Sequence, residues 1–124
     1  MKKLVETALE NISTKEMFLF RVSCSLCGLE YGNKPTRFSK AGVTPLTPDK
    51  HIIYEALYEQ ELRDARNIAI CSAAEHMNYC PICKRLICNQ CFLICGDLDM
   101  CMQCASALDQ KGQPVALHVI EAAM

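Results

Sequence analysis

The sequence predicts a small α+β domain with short strands, two four-cysteine sites, and one long helix inserted between its first and second cysteine knuckles. Three observations carry the prediction. Eight of the ten cysteines form Cys-x-x-Cys pairs: Cys24 and Cys27, Cys80 and Cys83, Cys88 and Cys91, Cys101 and Cys104. Residues 48–77 combine helix-start chemistry with a helical apolar stripe. The 124 residues are 51% apolar and 22% charged, which suits one packed domain over 1–124 with a modest core.

Taken in order, residues 1–12 place Leu4, Val5, Ala8, Leu9 and Ile12 at helical spacing and predict an N-terminal amphipathic helix. Glu6 and Glu10 interrupt any apolar run there, so the segment does not read as an export signal. No later stretch approaches the ~20 apolar residues of a membrane span. The first knuckle occupies 17–31: MFLFRVSC reads as a strand running into Cys24, and Gly28 suits the unusual backbone angles after the turn. Residues 31–47, rich in Gly, Pro, Ser, Thr and Lys, read as loop.

The long helix, 48–77, starts with Thr47 as cap, Pro48 in the first turn and Asp49 at the positive end of the dipole. Its buried stripe is Ile53, Leu57, Tyr58, Leu62, Ala65, Ala69 and Ala73, and it stops at Asn78. Glu55, Glu59, Glu61, Asp64, Arg63 and Arg66 read as a solvated face. Cys71 reads as a buried thiol near the apolar face, and His76 as a dipole-complementing residue of the last turn. Residues 79–110 hold knuckles two to four, with a short helix beginning at the fourth pair, and PVALHVIEA suggests a final strand over 114–122. Cys95 reads as a second buried thiol, and also as the residue placed to replace Cys91 as a ligand. His51 and His118 have no evident partner.

A chain without an export signal is expected in the reducing cytoplasm, where ten cysteines do not persist as disulfides. In a Cys-x-x-Cys turn two thiolates converge on one ion while backbone N–H groups point at the sulfurs, and two turns complete a tetrahedron. Eight sulfurs thus predict two zinc ions per chain, in closed sites with no open position to activate a water. Redox dithiols occur singly beside βαβ patterns, and neither common iron–sulfur cluster spacing is present. Iron at four sulfurs is the remaining metal alternative.

Only Lys84, Arg85, Leu86 and Ile87 separate the second pair from the third, too little chain for both to wrap one ion. Two pairings remain: first with third and second with fourth, or first with second and third with fourth. The ligand string C-x2-C, long gap, C-x2-C-x4-C-x2-C-x9-C-x2-C resembles that of FYVE-type domains, relatives of RING and PHD cross-brace fingers. That resemblance implies Cys24, Cys27, Cys88 and Cys91 on one ion, and Cys80, Cys83, Cys101 and Cys104 on the other. The short helix at the fourth pair is similar to that of treble-clef folds. EHMNYC lacks the basic run with which FYVE domains bind phosphoinositides, and the mixed Cys/His pair of RING fingers is absent, so neither function carries over. CSLCGLEYG followed by CPIC also resembles rubredoxin and zinc-ribbon knuckles, which would imply the sequential pairing. Uncharacterised bacterial zinc proteins with a helix leading into a C-P-x-C-x4-C-x2-C-F run are similar too and bring no assigned chemistry.

No Ser/His/Asp arrangement, phosphate-cradling glycine loop or positioned carboxylate pair points to catalysis. The formal charge of −1 falls to about −5 with two divalent ions on eight thiolates, which disfavours nucleic acid despite Lys34, Arg37 and Lys40 on one loop with Arg21 nearby. The expected function is therefore a non-enzymatic zinc module that binds proteins, with a nucleic-acid-binding ribbon and a thiol-redox or zinc sensor as alternatives. A helix over 50–77 would be about 42 Å long against a domain diameter of roughly 35 Å. Its projecting end carries Ile52, Ile53, Ala56 and Leu57, which predicts a homodimer or a groove for a partner's helix.

Overall fold

The computed structural model describes residues 2–115. Helix α2 (Pro48–His76) is its spine, and it starts as its first turn dictates: Thr47 Oγ1 accepts from the Lys50 N–H at 3.1 Å, and Pro48 stands where no N–H is needed. Before it come α1 (Lys2–Ala8), β1 (Glu10–Asn11), β2 (Met17–Phe18), β3 (Phe20–Ser23), β4 (Glu30–Gly32) and β5 (Thr36–Arg37). After it come β6 (Met77–Tyr79), β7 (Leu86–Cys88), β8 (Phe92–Ile94), β9 (Met100–Cys101), α3 (Met102–Ala107) and β10 (Gln113–Pro114).

The strands form small antiparallel sheets in the orders β1-β3-β4, β2-β5, β6-β7 and β10-β8-β9. Two of these differ from the sequence reading. The N-terminal helix ends at Ala8 rather than Ile12, because Glu10 and Asn11 pair with Arg21 and Phe20, and a helix this short has little intrinsic stability to resist. MFLFRVSC makes two strands, not one. Asn33, 3% exposed, sits at the break: its Oδ1 accepts from the Phe20 N–H at 2.9 Å, and its Nδ2 donates to the Phe18 and Lys34 carbonyls. The segment 31–47, expected as loop, supplies most of β4 and all of β5, with Thr36 opposite Phe18. Of the final strand expected over 114–122, Pro114 lies in β10, and residues 116–124, with His118, lie outside the described residues.

Two cores lie along α2. One gathers Val5, Val22, Ala73, Met77, Ile87, Phe92 and Met100 around the buried cysteines. The other joins Phe18, Phe20 and Phe38 to Ala65 and Ala69, with Leu57, Tyr58 and Leu62 at its margin. Its rings meet edge-on or tilted, Phe18 to Tyr58 at 5.0 Å and Phe38 to Tyr58 at 5.2 Å, and the Tyr58 hydroxyl donates to the Thr14 carbonyl.

The helix stripe is thus correct from Leu57 to Ala73, and Ile70 belongs to it. Ile53 does not: it lies before the aromatic cluster and is exposed. Leu57 is covered by that cluster within the chain. Cys71 is exposed, a correction to the buried thiol expected, because Ala69 and Ala73 take the inward positions around it. The acidic face is not wholly solvated either. Glu61 receives hydrogen bonds from the Ser39 N–H and hydroxyl, pinning the loop to α2, and Arg66 donates to Glu6 on α1 at 3.2 Å.

Candidate metal centres

Each knuckle is built by the backbone. The Cys24 N–H donates to the Leu29 carbonyl and the Gly28 N–H to the Cys24 carbonyl; at the second knuckle the Cys80 N–H donates to Arg85 and the Lys84 N–H to Cys80. These paired bonds close the same turn twice. Closure needs a positive φ after the second cysteine: Gly28 adopts 77° and Lys84 adopts 58°. Glycine takes that angle without steric cost and lysine does not.

The x4 spacer then acts as a crossing device. It forms the β6–β7 hairpin, with Met77 opposite Cys88 and Tyr79 opposite Leu86, so Cys80 and Cys88 leave in different directions. The Ser25 N–H donates to the Leu86 carbonyl at 3.1 Å, which brings the first knuckle to the third pair. Phe92 pairs with Cys101 across β8 and β9, and Cys101 Sγ caps α3 by accepting from the Cys104 N–H at 3.4 Å.

The result is two four-sulfur groups. Site I is Cys24, Cys27, Cys88 and Cys91; site II is Cys80, Cys83, Cys101 and Cys104; within each, all sulfurs lie within 4.8 Å of one another. The pairing is crossed, first with third and second with fourth, and the sequential alternative is not the one adopted. Cys95 belongs to neither group and does not replace Cys91. His76 is not a ligand in either; its ring stacks on Tyr31 at 5.0 Å. His51 pairs with Glu55 at 2.9 Å.

The spacing fits a tetrahedral ion. Sulfurs about 2.3 Å from a common centre stand ~3.8 Å apart along the tetrahedron's edges. The structure gives 3.6 Å for Cys27–Cys88, 3.9 Å for Cys80–Cys104 and 3.8 Å for Cys83–Cys101. Amide donors complete the frame identically in both: the Cys88 N–H points at Cys24 Sγ at 3.3 Å, and the Cys101 N–H at Cys80 Sγ at 3.4 Å.

The electrostatics follow. Burial pushes the Cys24 and Cys80 thiols up, but three backbone N–H groups at each outweigh it and lower both to about 6. Their neighbours face burial and nearby thiolates, so Cys88 and Cys91 are raised and Cys104 is pushed up to about 12. One buried cluster cannot hold four thiolates without a cation, and a divalent ion relieves that conflict.

Two companions escaped the sequence reading. The Arg85 guanidinium lies beside Cys83, which lowers that thiol against the effect of burial, and Arg85 also donates to Gln103 Oε1. Tyr31 lies beside site I, and burial together with Cys88 raises its hydroxyl to about 12. Arg85 was visible only as a charge in the x4 spacer, and Tyr31 only as the residue where the first knuckle passes into the segment read as loop.

No described helix is long and apolar enough to cross a membrane. No family model matches the chain, and no curated protein or solved structure is significantly similar to it.

Proposed function

We propose that the chain is a non-enzymatic module that holds two structural zinc ions and binds another protein through the face around the start of α2. The crossed arrangement of eight sulfurs in two closed groups carries this reading. All-sulfur tetrahedra favour zinc or iron, and zinc needs no redox partner to remain bound. The crossing agrees with the cross-brace resemblance to FYVE-type domains, and α3, starting at the fourth pair, with a treble-clef arrangement. A closed site offers no coordination position to a substrate, which supports a structural role.

The protein-binding half of the reading rests on Leu46, Ile52 and Ile53, which are 84, 64 and 60% exposed. They adjoin a groove of about 490 Å³ in which Phe38, Val43, Pro45, Tyr54 and Tyr58 are joined by Lys15, His51 and Glu55. Covering a large aliphatic side chain contributes about 1.5 to 3 kcal/mol, so this face favours a helix from a second copy or from another protein. Nucleic acid is less well supported: Arg21 donates to the Phe20 and Asn33 carbonyls, leaving Lys34, Arg37 and Lys40 as the exposed cations of that region.

Metal analysis of the purified chain should give two zinc ions, and a single ion or a coloured iron centre would overturn the metal assignment. Light scattering should give a dimer that Ile53→Asp splits. A monomer at high micromolar concentration would reject self-association, and salt-sensitive retention on DNA would favour the nucleic-acid reading.

A further inference from the structure

Sites I and II share a backbone frame and differ at the outer thiol. Cys24, Cys88 and Cys91 of site I are buried while Cys27 is exposed. In site II the equivalent thiol, Cys83, is half-buried, with the Arg85 guanidinium beside it and Gln103 holding that guanidinium in turn. An oxidant must reach the sulfur it attacks. Partial burial covers Cys83, and Cys27 lacks that cover. Cys27 Sγ also has a resolving sulfur at hand, Cys88 Sγ at 3.6 Å.

We infer that Cys27 is a peroxide-sensitive modification site, and that its oxidation to a disulfide with Cys88 opens site I while site II stays closed. In the first step Cys27 Sγ attacks one oxygen of a hydroperoxide; the S–O bond forms, the O–O bond breaks, and the departing oxygen leaves as water after taking a proton. In the second, Cys88 Sγ attacks Cys27 Sγ; the S–S bond forms, the S–O bond breaks, and a second water departs. Two metal-held thiolates lose two electrons, solvent supplies two protons, and hydrogen peroxide becomes two waters as the ion is released. Closing 3.6 Å to a bond of about 2 Å requires movement. The exposed knuckle tip at Cys27 can supply it, whereas Cys88 is fixed in the core by its pairing with Met77. A disulfide removes two of the four ligands of site I, and Cys24 and Cys91 alone do not make a closed site.

Cys71, the other exposed thiol, belongs to neither group and would consume oxidant without opening a site. The inference rests on the two-ion reading, so its test separates the two. The full zinc-loaded chain carrying Cys71→Ser is first assayed for metal, then treated with a maleimide or with limiting hydrogen peroxide and mapped by peptide mass spectrometry. Maleimide should modify Cys27 at least about tenfold faster than any of the other seven ligands. Peroxide should release one ion per chain and yield a Cys27–Cys88 disulfide. Cys27→His, which keeps a ligand atom and removes the thiol, should hold both ions and resist that release. Simultaneous loss of both ions, faster reaction at Cys83, or unchanged release from Cys27→His would overturn the inference. Fewer than two ions before treatment would instead overturn the proposed metal stoichiometry, and the order of maleimide labelling would still decide whether Cys27 is the reactive thiol.

Discussion

The two cores that α2 crosses are held by different chemistry. Around its C-terminal half the buried residues are mostly cysteines and aliphatics, and eight sulfurs converge where a hydrocarbon core would close on itself. At the level of Ala65 and Ala69 the core is made of rings, with Phe18, Phe38 and Tyr58 in mutual edge-on or tilted contact and Asn33 beneath them. The sulfur core needs an ion to complete it, because clustered thiols either repel as anions or bury protons without strong partners. The aromatic core is complete as it stands. One helix therefore joins a region that could be completed by bound metal to a region whose stability depends on apolar area.

Metal removal should separate them most sharply. Structural zinc contributes on the order of 10 kcal/mol in small domains, comparable to their whole stability. Cys80→Ser, or a strong chelator, should abolish cooperative unfolding and strip site II, whereas Cys71→Ser should leave metal content unchanged. A Cys80→Ser protein that kept both ions and its melting temperature would break the comparison outright.

Acid acts on the same core in a predictable direction. The amide donors hold Cys24 and Cys80 near 6 against an ordinary 9.0. A depressed thiol pKa contributes stability that is present above about 9 and is lost as pH falls through about 6. A bound ion holds the thiolates against protons further still, so metal should stay bound at about pH 6 and be released only at lower pH, with far-ultraviolet circular dichroism falling in step. Release already complete above about pH 7 would mean that the N–H donors do not hold these thiolates.

The sulfur core was also the more legible of the two from sequence. Cys-x-x-Cys spacing is set by local turn geometry, so all eight ligands could be read directly. The spacing excluded joining the second and third pairs but left two pairings open, and the Ser25–Leu86 contact that brings the first knuckle to the third pair spans too much chain to be read locally. Thr47 and Pro48 likewise fixed the start of α2 by local chemistry. The aromatic core was missed because it depends on distant partners: Phe38 lies in a segment whose Gly and Pro content reads as loop, and β5 is strand only because β2 lies beside it. Asn33 had no periodic signal, since its role is to satisfy carbonyl and amide groups at the β2–β3 break. Cys71 misled because helical spacing cannot distinguish the centre of a buried stripe from its edge.

Phe18→Ala tests the aromatic side. Phe18 is fully buried, and truncating such a ring costs about 3 to 5 kcal/mol through lost contacts and the cavity left behind. The denaturation midpoint should fall accordingly while the metal content stays unchanged. Loss of metal from Phe18→Ala would show that the two cores form one cooperative unit, with α2 carrying the coupling.

The smallest expected effect lies within the sulfur core, at the two residues that close its knuckles. Gly28 and Lys84 occupy equivalent turns at φ of 77° and 58°. A side chain in that region costs roughly 1 to 2 kcal/mol, and replacing it by glycine forfeits about 0.4 to 1 kcal/mol through the freer unfolded chain. Lys84→Gly should therefore stabilise the protein slightly, by about 0.5 kcal/mol. Gly28→Ala should destabilise it by a similar amount, since a Cβ there meets nothing within 4 Å and only the backbone angle opposes it. Both shifts should appear in the midpoint of metal loss during denaturant titration, while tyrosine fluorescence from the Tyr58 cluster in the loaded native state stays unchanged. If Lys84→Gly destabilised the fold instead, the Lys84 side chain would be contributing more than its backbone conformation costs, and the two knuckles would not be equivalent after all.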